Sequence, residues 1–275
     1  MNKLVIRNFR FSFVLLTALF AVAGSAVAAG GHDVRMEPAP VNRLDAASLQ
    51  RGARNFVNYC LNCHSAKYMR YQRLNDLGVD NAMIQDNLMF ASTKIGDTMV
   101  PAMTPAEAKT WLGVTPPDLS VIAHVRGSDW LYNYFLGFYR DGTSSTGWNN
   151  LVFPNVGMPH VAWQLSGGGR LVETEFEDHE KALAGVIAVK GLAKLEPGKD
   201  GKWIMLTVQP DPDSPGAMTP VEYQSWVADL VNYLDYMAEP NKNNRISLGI
   251  MVLIYLGVLF TFAYALKRNY WKEVH

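Results

Sequence analysis

The chain has 275 residues, 49% of them apolar, with 25 basic against 25 acidic side chains and a formal net charge of zero. A length of this order holds one good-sized domain or two small ones, and without a basic excess a nucleic-acid partner is disfavoured. Its two cysteines, Cys60 and Cys63, lie too close together to staple distant parts of a fold, so core burial or a cofactor must hold the chain together.

The first residues give a basic start (Lys3, Arg7, Arg10), an apolar run over 11–22, then small residues ending Ala26-Val27-Ala28. This is the layout of a secretory signal peptide over 1–28, cleaved after Ala28. The apolar run is shorter than the ~20 residues of a membrane span, which disfavours an uncleaved anchor. It is also too hydrophobic for a mitochondrial presequence. Residues 29–240 are then the exported domain.

The spacing of Leu49, Gly52, Phe56 and Cys60 predicts a helix over 46–59, with Asp45 as its cap. From 75 to 120 the prolines at 101, 105, 116 and 117 limit helix length, so short helices and long loops are expected. A helix over 130–139 is expected to stop at Asp141-Gly142. Between 166 and 215, glycine-rich links surround two β-like runs, 185–189 and 203–208, which read as a small hairpin inserted into a helical domain. Thr219-Pro220-Val221-Glu222 opens a further helix with a capping box and proline at its first position, and Pro240 marks its end. Residues 246–266 are 21 residues without a charge, flanked by Lys242 and Arg245 before and Lys267, Arg268 and Lys272 after, and read as a transmembrane helix. If 29–240 is exported, the tail 267–275 is cytoplasmic.

Cys60-Leu61-Asn62-Cys63-His64 has the spacing of c-type haem attachment. Two thiols on one turn can add to the two vinyl groups of a porphyrin, and the next residue offers an imidazole to the iron. A thioredoxin-like dithiol would want a βαβ surrounding and no following histidine. A structural zinc site would want four ligands, and the other histidines (32, 124, 160, 179 and 275) show no ligand spacing.

A second axial ligand suited to electron transfer is a methionine. Among twelve methionines, Met158 in Val156-Gly157-Met158-Pro159 is the first choice, since glycine permits close backbone approach and proline stiffens the loop; Met103 in Pro101-Ala102-Met103-Thr104-Pro105 is the second. Arg126, between an apolar run and Trp130, is a candidate partner for a haem propionate. Pro117, within Pro116-Pro117-Asp118-Leu119-Ser120, is a candidate wall of the haem pocket.

These segments together resemble the cytochrome c1 family, the haem subunit of bacterial ubiquinol–cytochrome c reductase (the cytochrome bc1 complex). The resemblance runs from Arg51-Gly52 through Val57-Asn58-Tyr59-Cys60 and the haem motif to Pro116-Pro117-Asp118-Leu119-Ser120, Arg126, Gly157-Met158-Pro159 and Ala238-Glu239-Pro240 with the terminal span. It implies a mainly α c-type cytochrome fold and one haem c held covalently by Cys60 and Cys63. The implied axial ligands are His64 and Met158, with Arg126 near a propionate. It also implies a dimeric complex with cytochrome b and the Rieske iron–sulfur protein in a bacterial inner membrane. There the haem domain lies in the periplasm, takes electrons from the Rieske protein and passes them to a cytochrome c, with no substrate chemistry of its own.

Two departures stand out: residues 148–156 are shorter than in mitochondrial members, and 166–215 looks like an extra hairpin region. The alternatives are a stand-alone anchored cytochrome serving a terminal oxidase or reductase, and a haem sensor or assembly protein with an open sixth site. An acidic run (Glu173, Glu175, Glu177, Asp178, Glu180) reads as a solvated face, with attraction of a basic cytochrome c as the other reading.

Overall fold

The computed structural model describes residues 34–273. The expected signal peptide lies outside the described residues, as does the very end of the tail.

Two long helices meet at the centre of the fold. Helix α1 (Ala46–Tyr59) starts where expected: the Asp45 carboxylate accepts from the Ser48 N–H at 3.0 Å, and Leu49, Gly52, Ala53, Phe56 and Val57 form the buried face. Near the C-terminus, the helix Pro220–Ala238 carries the predicted capping box, with Thr219 and Glu222 satisfying each other's backbone N–H groups. Its Trp226, Val227, Leu230, Val231, Tyr233 and Leu234 are buried.

Where these helices cross, Gly52 leaves no room for a side chain. A Cβ there would stand 2.1 Å from the Asp229 carbonyl oxygen and 2.6 Å from Tyr233 Cβ. Arg51 clamps the crossing from outside, bonding both Asp229 carboxylate oxygens at 2.6 and 2.9 Å. The buried Asn232 adds a polar tie, donating to the Asn42 carbonyl at 2.9 Å and to Ser48 Oγ at 3.0 Å. Arg43 joins the same end of the helix, pairing with the Asp235 carboxylate and donating to the Glu239 carbonyl at 2.6 Å.

Between the two helices run the short elements that the prolines foreshadow: a 3₁₀ segment Tyr71–Leu77, then helices Asn81–Leu88 and Pro105–Leu112. Helices Ile122–Arg126 and Ser128–Leu136 follow. The expected helix over 130–139 therefore begins two residues earlier and stops at Leu136. Phe138–Arg140 instead pairs antiparallel with Trp148–Asn150. Asp141 organises the connection, its carboxylate accepting from the Thr143 N–H at 2.9 Å and Asn149 Nδ2 at 2.8 Å.

The inserted region is larger than one hairpin. Strand Trp203–Pro215 pairs antiparallel with Gly167–Phe176 on one side and Ala193–Pro197 on the other. The β-like run expected at 185–189 is instead the end of a helix, His179–Ala188, capped by Asp178 accepting from the Lys181 N–H at 2.8 Å. Ala182 and Val186, one helical turn apart, pack with Ala193, Leu195 and Met205 in a small separate core. Gly185 meets the Phe176 ring so closely that a Cβ would come within 2.6 Å of it. Val186, Ile187 and Val189 favour strands by type, but the cap and the four-residue spacing of the buried pair decide for helix.

The last helix, Lys242–Tyr270, spans 29 residues and reaches a mean hydropathy of 2.4 over its most apolar window, with that stretch wholly exposed. At 1.5 Å per residue it is about 43 Å long, longer than the ~30 Å hydrocarbon core of a bilayer. It covers the expected span with a turn to spare at each end.

Replacing Gly52 by alanine forces the crossing apart. The expected loss is about 1–3 kcal/mol, read as a lower thermal or denaturant midpoint of the detergent-solubilised protein. Arg51→Ala, at the exposed rim of the same contact, is expected to cost less, about 1 kcal/mol or below.

Candidate functional site

Helix α1 delivers the cysteine motif at its own C-terminus. The Cys60 N–H still bonds the Phe56 carbonyl at 2.9 Å, after which the chain tightens, with the Cys63 and His64 N–H groups both bonding the Cys60 carbonyl at 3.1 and 2.9 Å. Both thiols are free; Cys60 is buried and Cys63 exposed. Burial, with a smaller push from Cys63, raises the Cys60 thiol to about 12, so it stays protonated.

His64 is fixed by the diproline loop. Its Nδ1 lies 2.7 Å from the Pro117 carbonyl oxygen, an acceptor that requires the proton on Nδ1 and leaves the Nε2 lone pair free. Burial lowers the His64 pKa against the opposing effects of Pro117 and Asp118, favouring the neutral imidazole that a metal needs. Asp118 ties this loop down. Its carboxylate accepts from Ser65 Oγ at 2.7 Å, the Lys67 N–H at 2.9 Å and the Ser120 N–H at 2.9 Å, while the Leu119 N–H bonds the Ser65 carbonyl at 2.8 Å. Burial alone would raise the Asp118 pKa, but these hydrogen bonds outweigh it and hold the carboxyl below its usual range.

A second group of predicted residues gathers along helix Ser128–Leu136. The Arg126 guanidinium lies 4.9 Å from the Trp130 ring centroid and 5.7 Å from that of Phe153, and Trp130 stacks on Tyr134 at 4.9 Å. The Tyr134 hydroxyl donates to Met158 Sδ at 3.5 Å. Asn149 and Asn150 pin the intervening loop. Buried Asn150 donates to the Tyr134 carbonyl at 2.7 Å and accepts from the Val152 and Phe153 N–H groups at 2.9 and 3.1 Å. Asn149 accepts from the N–H of Asn155, which sits at φ 59°, at 2.8 Å.

Met158 packs against the same hydrophobic core that contains Cys60, Leu61 and Tyr134. Met103, the second choice, precedes the Thr104 cap of helix Pro105–Leu112 and belongs to neither core cluster. Thus Cys60, Cys63, His64 and Pro117 form one contact group, Arg126 and Met158 another, and one core backs both. Sequence reasoning missed Asp118, Asn149, Asn150 and Tyr134 as organisers, because their polar contacts, long-range for Asp118, Asn150 and Tyr134 and within one loop for Asn149, have no periodic signature.

His160, two residues past Met158, is 3% exposed, stacks on Phe138 at 4.7 Å and meets Ser166 Oγ through Nε2 at 2.7 Å. Burial, helped by the Arg140 charge, lowers its pKa to about 3. It lines a cavity of about 900 Å3 that extends between Tyr132, Phe138 and the inserted strands.

Fold and motif together describe a mainly α c-type cytochrome with, among the described residues, one helix long and apolar enough to cross a membrane. The sequence matches the Cytochrome C1 family over residues 37–184 and 216–274, so strand Gly167–Phe176 lies within the match and strands Ala193–Pro197 and Trp203–Pro215 fall in the gap. It is 40% identical over 263 residues to a cytochrome c1 of Allochromatium vinosum, covering 95% of this chain and 99% of the relative. Over 265 residues it is 42% identical to a Nitrosomonas europaea protein named ammonia monooxygenase gamma subunit, covering 96% and 98%. A cytochrome c1 of Rhodospirillum rubrum is 26% identical over 251 residues, 84% of each chain. The chain belongs to the cytochrome c1 family, and with that it is a haem-bearing electron-transfer protein.

The buried histidine makes a pH prediction. Its folded value of about 3 lies below the ~6.5 of an unfolded histidine. The unfolded chain therefore takes up the proton first, and the stability contributed by the neutral ring is complete above pH ~6.5 and lost as the pH falls toward 3. In denaturation series across that window, His160→Gln should show a shallower acid decline than the wild type.

Proposed function

We propose that the chain is the haem subunit of a ubiquinol–cytochrome c reductase, accepting single electrons from a Rieske iron–sulfur protein and passing them to a cytochrome c through one covalently bound haem. The observation that carries the haem is His64: an imidazole held at Nδ1 by the Pro117 carbonyl, immediately after two free thiols on one turn; the family membership carries the rest.

These residues fit a c-type haem. Cys60 and Cys63 would form the thioethers, His64 and Met158 would be the axial ligands, and Pro117 would orient the histidine. Arg126 is exposed and, among the described residues, has no carboxylate within ion-pair distance, which leaves its charge available to a propionate. When bound, the haem supplies one-electron chemistry at constant coordination. The chain's own part is to hold both ligands rigidly, so that little moves between oxidation states. No proton-transfer pair is needed.

The membrane reading follows from the two ends of the sequence. Export of residues 29–240 places the haem domain in the periplasm, the Lys242–Tyr270 helix across the inner membrane and the remaining tail in the cytoplasm. Cytochrome b and the Rieske protein would be the neighbours in a dimeric complex.

Purification from membranes in detergent tests the assembly. A cytochrome b and a Rieske protein in the same particle support the reading, whereas recovery as a lone cytochrome, or with a monooxygenase, overturns it. Met158→Leu should abolish the red absorption band that a thioether ligand gives the oxidised protein; a variant retaining that band would move the ligand to Met103 or elsewhere. Replacement of both cysteines should release the haem to acid-acetone extraction, and covalent haem persisting without either thiol would refute the attachment site.

A further inference from the structure

We propose that Tyr134 is a positioning residue for Met158, its phenol hydrogen bond holding the sulfur in place and raising the reduction potential of the site. This rests on Met158 being the axial ligand. A thioether sulfur has two lone pairs, so one can serve a metal while the other accepts from a hydroxyl.

The donor is set up for that one acceptor. Among the described residues the Tyr134 hydroxyl has no hydrogen-bond partner other than Met158 Sδ, 3.5 Å away. Its ring is buried and enclosed by aromatic neighbours: stacked on Trp130, edge-on to Phe135 at 5.6 Å and to Phe138 at 5.0 Å. Its carbonyl is fixed by Asn150 Nδ2 at 2.7 Å. Since Asn150 also anchors the start of the loop leading to Met158, one buried amide sets both the donor's backbone and the acceptor's approach. The phenol therefore stands on a helix that cannot shift without breaking several contacts, while the methionine arrives on a loop that needs fixing.

The direction of the effect follows from charge. A hydrogen bond to sulfur draws electron density away from it, which makes the thioether a poorer donor to an electron-poor metal. The oxidised state loses more from this than the reduced state, so the reduced form is favoured and the potential rises.

Tyr134→Phe keeps the ring, the Trp130 stack and the Asn150 bond while deleting the donor. In the native complex, redox titration should show the midpoint lowered, by up to about tenfold in the equilibrium between the two states, ~59 mV for a one-electron couple. The oxidised protein should also bind an added small ligand such as azide more readily, as the sulfur is held less firmly. A fluorotyrosine placed at 134, isosteric but a stronger donor, should move the midpoint the opposite way, and decides the matter if the phenylalanine variant does not accumulate.

Midpoints unchanged in these variants, whatever happens to thermal stability, would overturn the role of Tyr134 provided that Met158→Leu abolishes the red band. If Met158→Leu leaves the band intact, the ligand assignment itself has failed, and this inference with it.

Discussion

Where helix Ala46–Tyr59 crosses helix Pro220–Ala238, the two backbones approach until only a hydrogen atom fits at position 52. That contact joins the two ends of the folded domain and fixes the direction in which the first helix points its C-terminus. Cys60 is still bonded into that helix through its N–H, and the turn carrying Cys63 and His64 is closed on the Cys60 carbonyl. Rotation of the crossing would therefore be transmitted to both thiols and to the imidazole. The Arg51–Asp229 and Asn232–Ser48 contacts on either side add direction to an association that apolar packing alone leaves free to slide.

The site on this platform is organised by polar side chains, Asp118 reaching far along the sequence and Asn149 and Asn150 closing their own loop. Asp118 bonds a diproline loop to residues 65 and 67, and the loop in turn aims the imidazole. Asn150 and Asn149 do the same for the loop that ends at Met158. In both cases a chain segment with no regular structure is made rigid by satisfying its backbone N–H groups from a side chain, which suits a site whose chemistry requires that nothing move. Burial lowers the His64 pKa, which favours the free imidazole lone pair that metal ligation uses, and pushes the Cys60 thiol up.

How much of this was legible in the sequence depends on the range of the interaction. Asp45, Thr219 and Glu222 act within one turn, and both helix starts fall where those residues predict. The cysteine motif is equally local, and it carried the cofactor reading together with the family resemblance. Residues 185–189 read as a strand by their β-branched types, but the Asp178 cap and the Ala182–Val186 spacing hold them at the end of a helix once the neighbouring strands supply a surface to pack on. The helix expected over 130–139 ends at Leu136 for a related reason: pairing with Trp148–Asn150 captures residues that propensity alone leaves in the helix. Tyr134 and Asn150 gave no signal at all, since nothing in a linear string marks which tyrosine will face a given methionine.

The inserted strands and their helix enclose an apolar centre of their own, Ala182, Val186, Ala193, Leu195 and Met205, apart from the main core, and the family match is interrupted over part of this same region. Because that interior shares no buried residue with the main core, a change of side-chain volume inside it is absorbed locally and leaves the platform under the cysteine motif undisturbed.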